Sequence, residues 1–181
     1  MLKKTISFAA LFLLFFASAR AQVRVTSIFW ESSAPKAKTW TPFAPVTELK
    51  LAVDRKMRDK LRAVFTVRNS SRSAMEGLVL RYALRLRLIK DGDVPENWVW
   101  GVPFRVEELR LAKAGAGELR RVRAIRFELN EQIKKLSGTG FWFDALKLEV
   151  MVEPRQGDEL SGITQESVLA VTTATPVTGN R

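Results

Sequence analysis

From Gly77 to Lys90 the chain alternates with a period of two. Leu78, Leu80, Tyr82, Leu84, Leu86 and Leu88 share one parity, and Val79, Arg81, Ala83, Arg85, Arg87 and Ile89 share the other. A helix would scatter the leucines around its circumference, whereas a strand gathers them on one face. A strand this long with one greasy face needs a second apolar layer to cover it, which restricts the fold to packed sheets. Asp91-Gly92-Asp93 ends the run in a turn.

The same pattern recurs along the chain. Leu61, Ala63, Phe65 and Val67 alternate with Arg62, Val64, Thr66 and Arg68, and Asn69-Ser70-Ser71 follows as a turn. Ile125, Phe127 and Leu129 alternate with Arg126 and Glu128, and Leu146, Leu148, Val150 and Val152 with Lys147, Glu149, Met151 and Glu153. Asn130 is expected to cap a short helix that turns Ile133 and Leu136 inward and stops at Gly138. Val23–Trp30 reads as the first strand, and Leu49, Leu51 and Val53 mark another. Pro35, Pro42 and Pro45 make Ser32–Pro45 an extended crossover or edge segment. Trp98, Trp100, Val102, Phe104 and Val106 have one parity and Leu109 and Leu111 the other, so a strand there requires a break near Pro103–Glu108. A short helix over Arg105–Ala114 is the alternative. After Pro154 the composition turns polar, with a final edge strand expected at Ser167–Thr173 and no order expected over Thr175–Arg181.

The N-terminus carries a different signal. Lys3 and Lys4 precede an apolar stretch, Ile6–Ala17, and Ala19-Arg20-Ala21 has the small-x-small form of a signal peptidase site. Residues 1–21 are therefore expected to be a cleaved signal peptide, with the mature chain starting at Gln22. A retained anchor is the competing reading, but the apolar run is shorter than the ~18 residues that suggest a membrane span, and no later window approaches that length. Export predicts a periplasmic, cell-surface or secreted location, with no transmembrane segment after cleavage. The remaining organisation is a β-sandwich domain over 22–154 and a polar C-terminal tail over 155–181.

Composition narrows the chemistry. The sequence holds neither histidine nor cysteine. Ser-His-Asp and Cys-His nucleophiles, thiol redox chemistry and His/Cys zinc sites are excluded on that ground. Export permits disulfides, but this chain uses none. A non-enzymatic role is expected, with no cofactor and no metal. Asp91, Asp93, Glu96 and Asn97 offer oxygen ligands for calcium but lack the spacing of an EF-hand loop. The pairs Glu107-Glu108 and Asp158-Glu159 are sequence neighbours, which on a strand face opposite ways. Asn69-Ser70-Ser71 also matches the glycosylation acceptor pattern.

Phe65-Thr66-Val67-Arg68-Asn69-Ser70-Ser71 followed by a long strand resembles the early strands of immunoglobulin-like and fibronectin-like modules in exported bacterial proteins. The likeness covers the general layout of residues 46–153 and carries over no functional residue, since the Cys pair and central Trp of antibody domains are missing. It implies a mainly β fold, an antiparallel immunoglobulin-like β-sandwich with one short helix. By analogy it suggests a role in adhesion, surface assembly or pilus-associated complexes.

Two surface candidates follow. Arg81, Arg85 and Arg87, together with Arg121 and Arg126 and the neighbouring Arg120 and Arg123, would form an anion-binding patch if their strands are neighbours. The net charge is +11, and +8 once Lys3, Lys4 and Arg20 are removed, which suits an anionic partner. The alternative is a solvated sheet face with Glu128, Glu149 and Glu153 as cross-strand partners. Trp98, Trp100 and Trp142 are the candidate protein-contact residues, weighed against burial of the same aromatics in the core. A protein partner or a second copy of the chain is the expected partner. The alternative is an anionic polymer, such as a glycan, lipid headgroups or nucleic acid, bound by an arginine-rich sheet face.

Overall fold

The computed structural model describes residues 22–127, 129–155 and 158–174. The expected signal peptide and the expected disordered end both lie outside the described residues. So do Glu128 and the side chains of Arg123, Ala124, Ile125 and Arg126.

The chain opens with β1 (Val23–Ser33), a small hairpin of β2 (Pro35–Lys36) and β3 (Thr39–Trp40), then β4 (Ala44–Val46) and β5 (Glu48–Leu51). Two long strands follow, β6 (Lys60–Asn69) and β7 (Met75–Lys90), then β8 (Trp98–Trp100), β9 (Arg105–Ala114) and β10 (Leu119–Phe127). Helix α1 (Asn130–Leu136), β11 (Phe141–Val152), the single turn α2 (Leu160–Ile163) and β12 (Thr164–Thr173) complete it. A second helical element thus joins the one expected.

The strands form a four-stranded sheet, ordered β10-β6-β1-β4, and a six-stranded sheet, β5-β12-β11-β7-β8, in which β9 also pairs with β7. Every pairing is antiparallel except β5 with β12. Both sheets contribute to one core cluster, including Val25, Trp30, Leu61, Ala63, Phe65 and Val67 from the first and Leu78, Leu80, Tyr82, Leu84, Leu146, Leu148 and Val150 from the second. The alternating rows of β6, β7 and β11 therefore face inward as their periodicity requires. Trp30 on β1 donates from Nε1 to the Ser167 hydroxyl on β12 at 3.0 Å, a polar tie between the sheets. The chain crosses from one sheet to the other between β4 and β5 through Thr47 alone.

Strand β7 has two partners on one edge: Met75–Leu84 pair with β9 and Arg87–Ile89 with β8. The break between them, residues 101–104, is held by Gly101 N–H and Phe104 N–H donating to the carbonyls of Leu86 and Leu84. That break reconciles the two parities of the Trp98–Leu111 region, and Arg105–Ala114 is strand rather than helix. At Gly101 a Cβ would stand 3.2 Å from Leu88 Cδ1, so the close approach favours glycine.

Several local expectations need correcting. The residue at the cap position of α1 is Leu129, and Asn130 is instead the first helical residue. Its amide exchanges two 2.9 Å hydrogen bonds with the backbone of Met57, pinning the helix to the loop before β6. Val53 lies beyond β5 and is exposed. The Asn69 turn is buried at its start: Asn69 Nδ2 donates to the carbonyls of Ser73, Ala114 and Gly115, and Oδ1 accepts from Ser71 N–H and Oγ–H. A glycan has no access to that nitrogen in the folded protein.

The largest difference concerns the last strand. β12 lies between β11 and β5, so it is an interior strand, with Leu169 and Val171 buried, and β5 takes the edge. The sheet therefore extends well past Pro154 into the segment expected to be a polar tail. Ending the chain at Pro154 should abolish the cooperative unfolding transition followed by circular dichroism, because β5 would lose its strand partner among the described residues. Leu84 and Arg85 give a finer check of facing. Leu84→Asp should cost roughly 3–5 kcal/mol by placing an unpaired charge in the core, and Arg85→Ala about 1 kcal/mol or less, as measured by chemical denaturation.

Candidate functional site

Cross-strand partners share a face, so register places each candidate side chain. Arg81, Arg85 and Arg87 stand on the outer face of the six-stranded sheet, as their alternation with the leucines requires. Each is matched by a carboxylate. Arg81 lies between Glu108 and Glu153 at 3.6 and 3.4 Å, and Arg85 donates to Glu149 at 2.8 Å. Arg87 makes a two-pronged pair with Asp144 at 2.6 and 2.7 Å. Lys147 joins the same network through Glu149 and Glu166.

This face is a ladder of alternating charge. Burial alone would raise the pKa of Glu149, but the hydrogen bonds and charges of Lys147 and Arg85 outweigh it and hold the carboxyl below its ordinary value. Burial likewise works against the charge on Lys147, and its bonds to Glu149 and Glu166 win, holding its pKa above the usual lysine value. The expected anion site on this row is therefore already occupied by the protein's own carboxylates.

Arg121 and Arg126 are elsewhere. Both belong to β10 of the four-stranded sheet, so the two arginine rows do not form one patch. Arg121 Nη2 donates to Glu31 at 2.6 Å, and Arg62 binds the other oxygen of that carboxylate at 2.6–2.7 Å. Glu31 is nearly inaccessible, a buried anion held by two guanidinium groups. Arg126 sits opposite Arg62 in the register, and its side chain lies outside the described residues.

The three tryptophans share the outer face of the six-stranded sheet with Arg81, Arg85 and Arg87. Trp98 and Trp142 both stand opposite Ile89, and Trp100 stands opposite Arg87. Trp98 and Trp100 meet edge to face at 5.7 Å. Arg87 lies 5.4 Å from the Trp98 ring centre and Lys147 4.8 Å from that of Trp100, so cations already fixed by carboxylates back the two rings. Trp98 is 41% exposed, and its neighbours Val99 and Val102 are 57% and 84% exposed.

Trp142 differs. It packs against the core and is covered by the Arg55 guanidinium, 4.4 Å from its ring centre. Arg55 holds this position at φ 59°, a left-handed conformation uncommon for a residue with a side chain. The aromatic contact surface thus narrows to Trp98 and Trp100 with exposed Val102 after them, while Val99, paired with Leu88, points to the other face of the strand. β8 is a three-residue edge strand, so the patch also borders unpaired backbone.

Sequence reasoning missed two features. One is the buried Glu31 with its two arginines, which no local motif marks. The other is a cleft of about 550 Å³ where β1 and β4 meet β5 and β12, lined by Phe29, Trp30, Val46, Ser167 and Val168. At the Asp91–Asn97 turn, Asp93 Oδ1 accepts from Val94 N–H and Asn97 Nδ2–H, so its oxygen serves the turn itself. Among the described residues no group of three or more acidic side chains is arranged to hold a metal ion, and no helix is long and apolar enough to cross a membrane. Glu107 and Glu108 point apart, Glu107 toward Tyr82 and Arg105 and Glu108 toward Arg81 and Arg110.

No protein-family model matches the chain, and no curated protein is significantly similar to it.

The ion ladder carries a pH dependence. The contribution of Glu149 is fully present above its unfolded pKa and is lost as pH falls through its lower folded value. Stability measured by urea denaturation should therefore fall as pH drops below about 4, and Glu149→Gln should flatten that fall. An identical acid profile in the variant would mean that the ladder contributes nothing to folding.

Proposed function

We propose that this chain is an exported, non-enzymatic binding module, built as an immunoglobulin-like sandwich, whose contact surface is the Trp98–Trp100 edge. The observation that carries the reading is an apolar, aromatic patch left open on a short edge strand. Trp98 and Val102 are exposed there, and arginine and lysine hold the rings from behind. Tryptophan and arginine together are enriched at protein interfaces, where a large ring contributes area at little entropic cost. The two packed, mostly antiparallel sheets support the sandwich description. The leader-like pattern of residues 1–21 supports action in the cell envelope or outside the cell, as a surface or pilus-associated accessory.

The alternative of an anionic polymer bound to the Arg81–Arg87 row is weaker, because each of those arginines already has a carboxylate partner. A protein partner, or a second copy of the chain, is the occupant that suits the tryptophan edge.

Two measurements test the reading. Intact mass of the protein recovered from an exporting host should correspond to a chain starting at Gln22, and a retained full-length chain would overturn the export. A photo-crosslinking residue placed at Val102 should give one discrete protein adduct in the native host, and the same probe at exposed Glu76 none. Equal labelling from both positions would remove the tryptophan edge as the contact surface.

A further inference from the structure

The outer face of the four-stranded sheet has a different charge pattern from the ladder described above. Register sets Arg24 directly opposite Arg68, with Leu119 on the far side of Arg68. The next rows carry Ser27, Thr66 and Arg121, then Phe29 and Val64, then Glu31 and Arg62, then Ser33 and Lys60. Among the described residues this face therefore holds five cations, Arg24, Lys60, Arg62, Arg68 and Arg121, against the single carboxylate of Glu31. That carboxylate is already saturated by Arg62 and Arg121. The positions of Arg123 and Arg126 fall on the same strand, β10, facing Val64 and Arg62.

The strip is open at one end. Trp40 and Phe43 lie against Lys60 and Arg62 at the other, by 3.7 and 3.9 Å contacts with their rings. Arg24 and Arg68 are exposed and make no ion pair with any described residue. Like charges directly opposite on neighbouring strands destabilise a sheet, so the free protein gains nothing from this pair. A bound anion would turn the repulsion into two charge-assisted contacts, since the planar guanidinium offers paired N–H donors to two oxygens of a sulfate, phosphate or carboxylate.

We propose that this face, with Arg24 and Arg68 as its open cations and Arg121 in the next row, docks an anionic polysaccharide. Charge complementarity sets the sign of the occupant. Its extent follows from the sheet: Arg121 on β10 stands two strands, about 10 Å, across and two residues, about 7 Å, along from Arg24 on β1, a spread wider than one small anion and suited to neighbouring charges of a polymer. Between the cations lie the hydroxyls of Ser27 and Thr66 and the exposed ring of Phe29, which match the hydroxyls and apolar ring faces of sugars. The location of the face is independent of the proposed function, and only the choice of polysaccharide over nucleic acid rests on the export reading.

The test uses the protein, heparin as a sulfated polysaccharide, and duplex DNA at equal charge concentration. The protein should bind heparin with an affinity that falls steeply between about 50 and 200 mM salt. Arg24→Ser combined with Arg68→Ser should lower heparin affinity about tenfold at low salt, with an unfolding midpoint no lower than that of the unaltered protein. Arg81→Ser, on the charge-balanced sheet, should change it less than about twofold. Heparin binding equal to that of the unaltered protein in the double variant overturns the proposal, and so does tighter binding to DNA than to heparin. A chain that is not exported but loses heparin binding in the double variant leaves the face standing, so its failure and that of the export reading are separable.

Discussion

The inner row of β7 is the contact on which the rest of the structure depends. Leu78, Leu80, Tyr82 and Leu84 are almost completely buried, and the strand that carries them pairs with β11 on one side and with β9 and β8 on the other. Removing this row from water is the dominant favourable effect available to a chain without disulfides. It also sets the register by which every outer residue of the six-stranded sheet is aimed. A slip of one residue would put Arg81, Arg85 and Arg87 into the core, a cost far larger than any surface contact could recover.

That constraint leaves the two outer faces free to differ, and they do. On the six-stranded sheet the cations are interleaved with Asp144, Glu149, Glu153 and Glu166, so the face is locally neutral and its tryptophans are its open feature. On the four-stranded sheet one buried carboxylate organises two arginines and leaves the others without partners among the described residues. Glu31 costs desolvation to bury, and its two charged hydrogen bonds offset that cost only while both arginines stay in place. It fixes Arg62 and Arg121, of which Arg121 lies in the row next to the open Arg24–Arg68 pair.

Much of the fold was legible because period two is a strong signal where one face is buried and the other polar. The rows of β6, β7 and β11 read directly from the alternation, and the break before β9 read from a change of parity. β12 was misplaced for a physical reason. Its buried residues are few, Leu169 and Val171, amid serine, threonine and glutamate, so its composition is that of an edge. What holds it inside is a parallel pairing with β5, more than a hundred residues earlier, and no local pattern encodes such a partner. The Asn130 assignment failed similarly, because the amide found a better partner in the distant backbone of Met57 than in its own helix.

The arginines show the same limit at the level of function. Parity correctly turned Arg81, Arg85 and Arg87 outward, but the charge they present depends on residues 27 to 72 positions away in sequence. A row of cations in sequence is thus no measure of a cationic surface. Nothing in the sequence marks Arg24 and Arg68 as a pair, since 44 positions separate them and neither lies in a basic run. Strand pairing alone brings them together, and a binding surface on a sheet is in general a property of register before it is a property of composition. The two proposed contacts accordingly fall on different faces. An apolar edge backed by fixed cations suits a protein surface, and an open cationic strip on the opposite side of the core suits a charged polymer, so the two contacts need not compete.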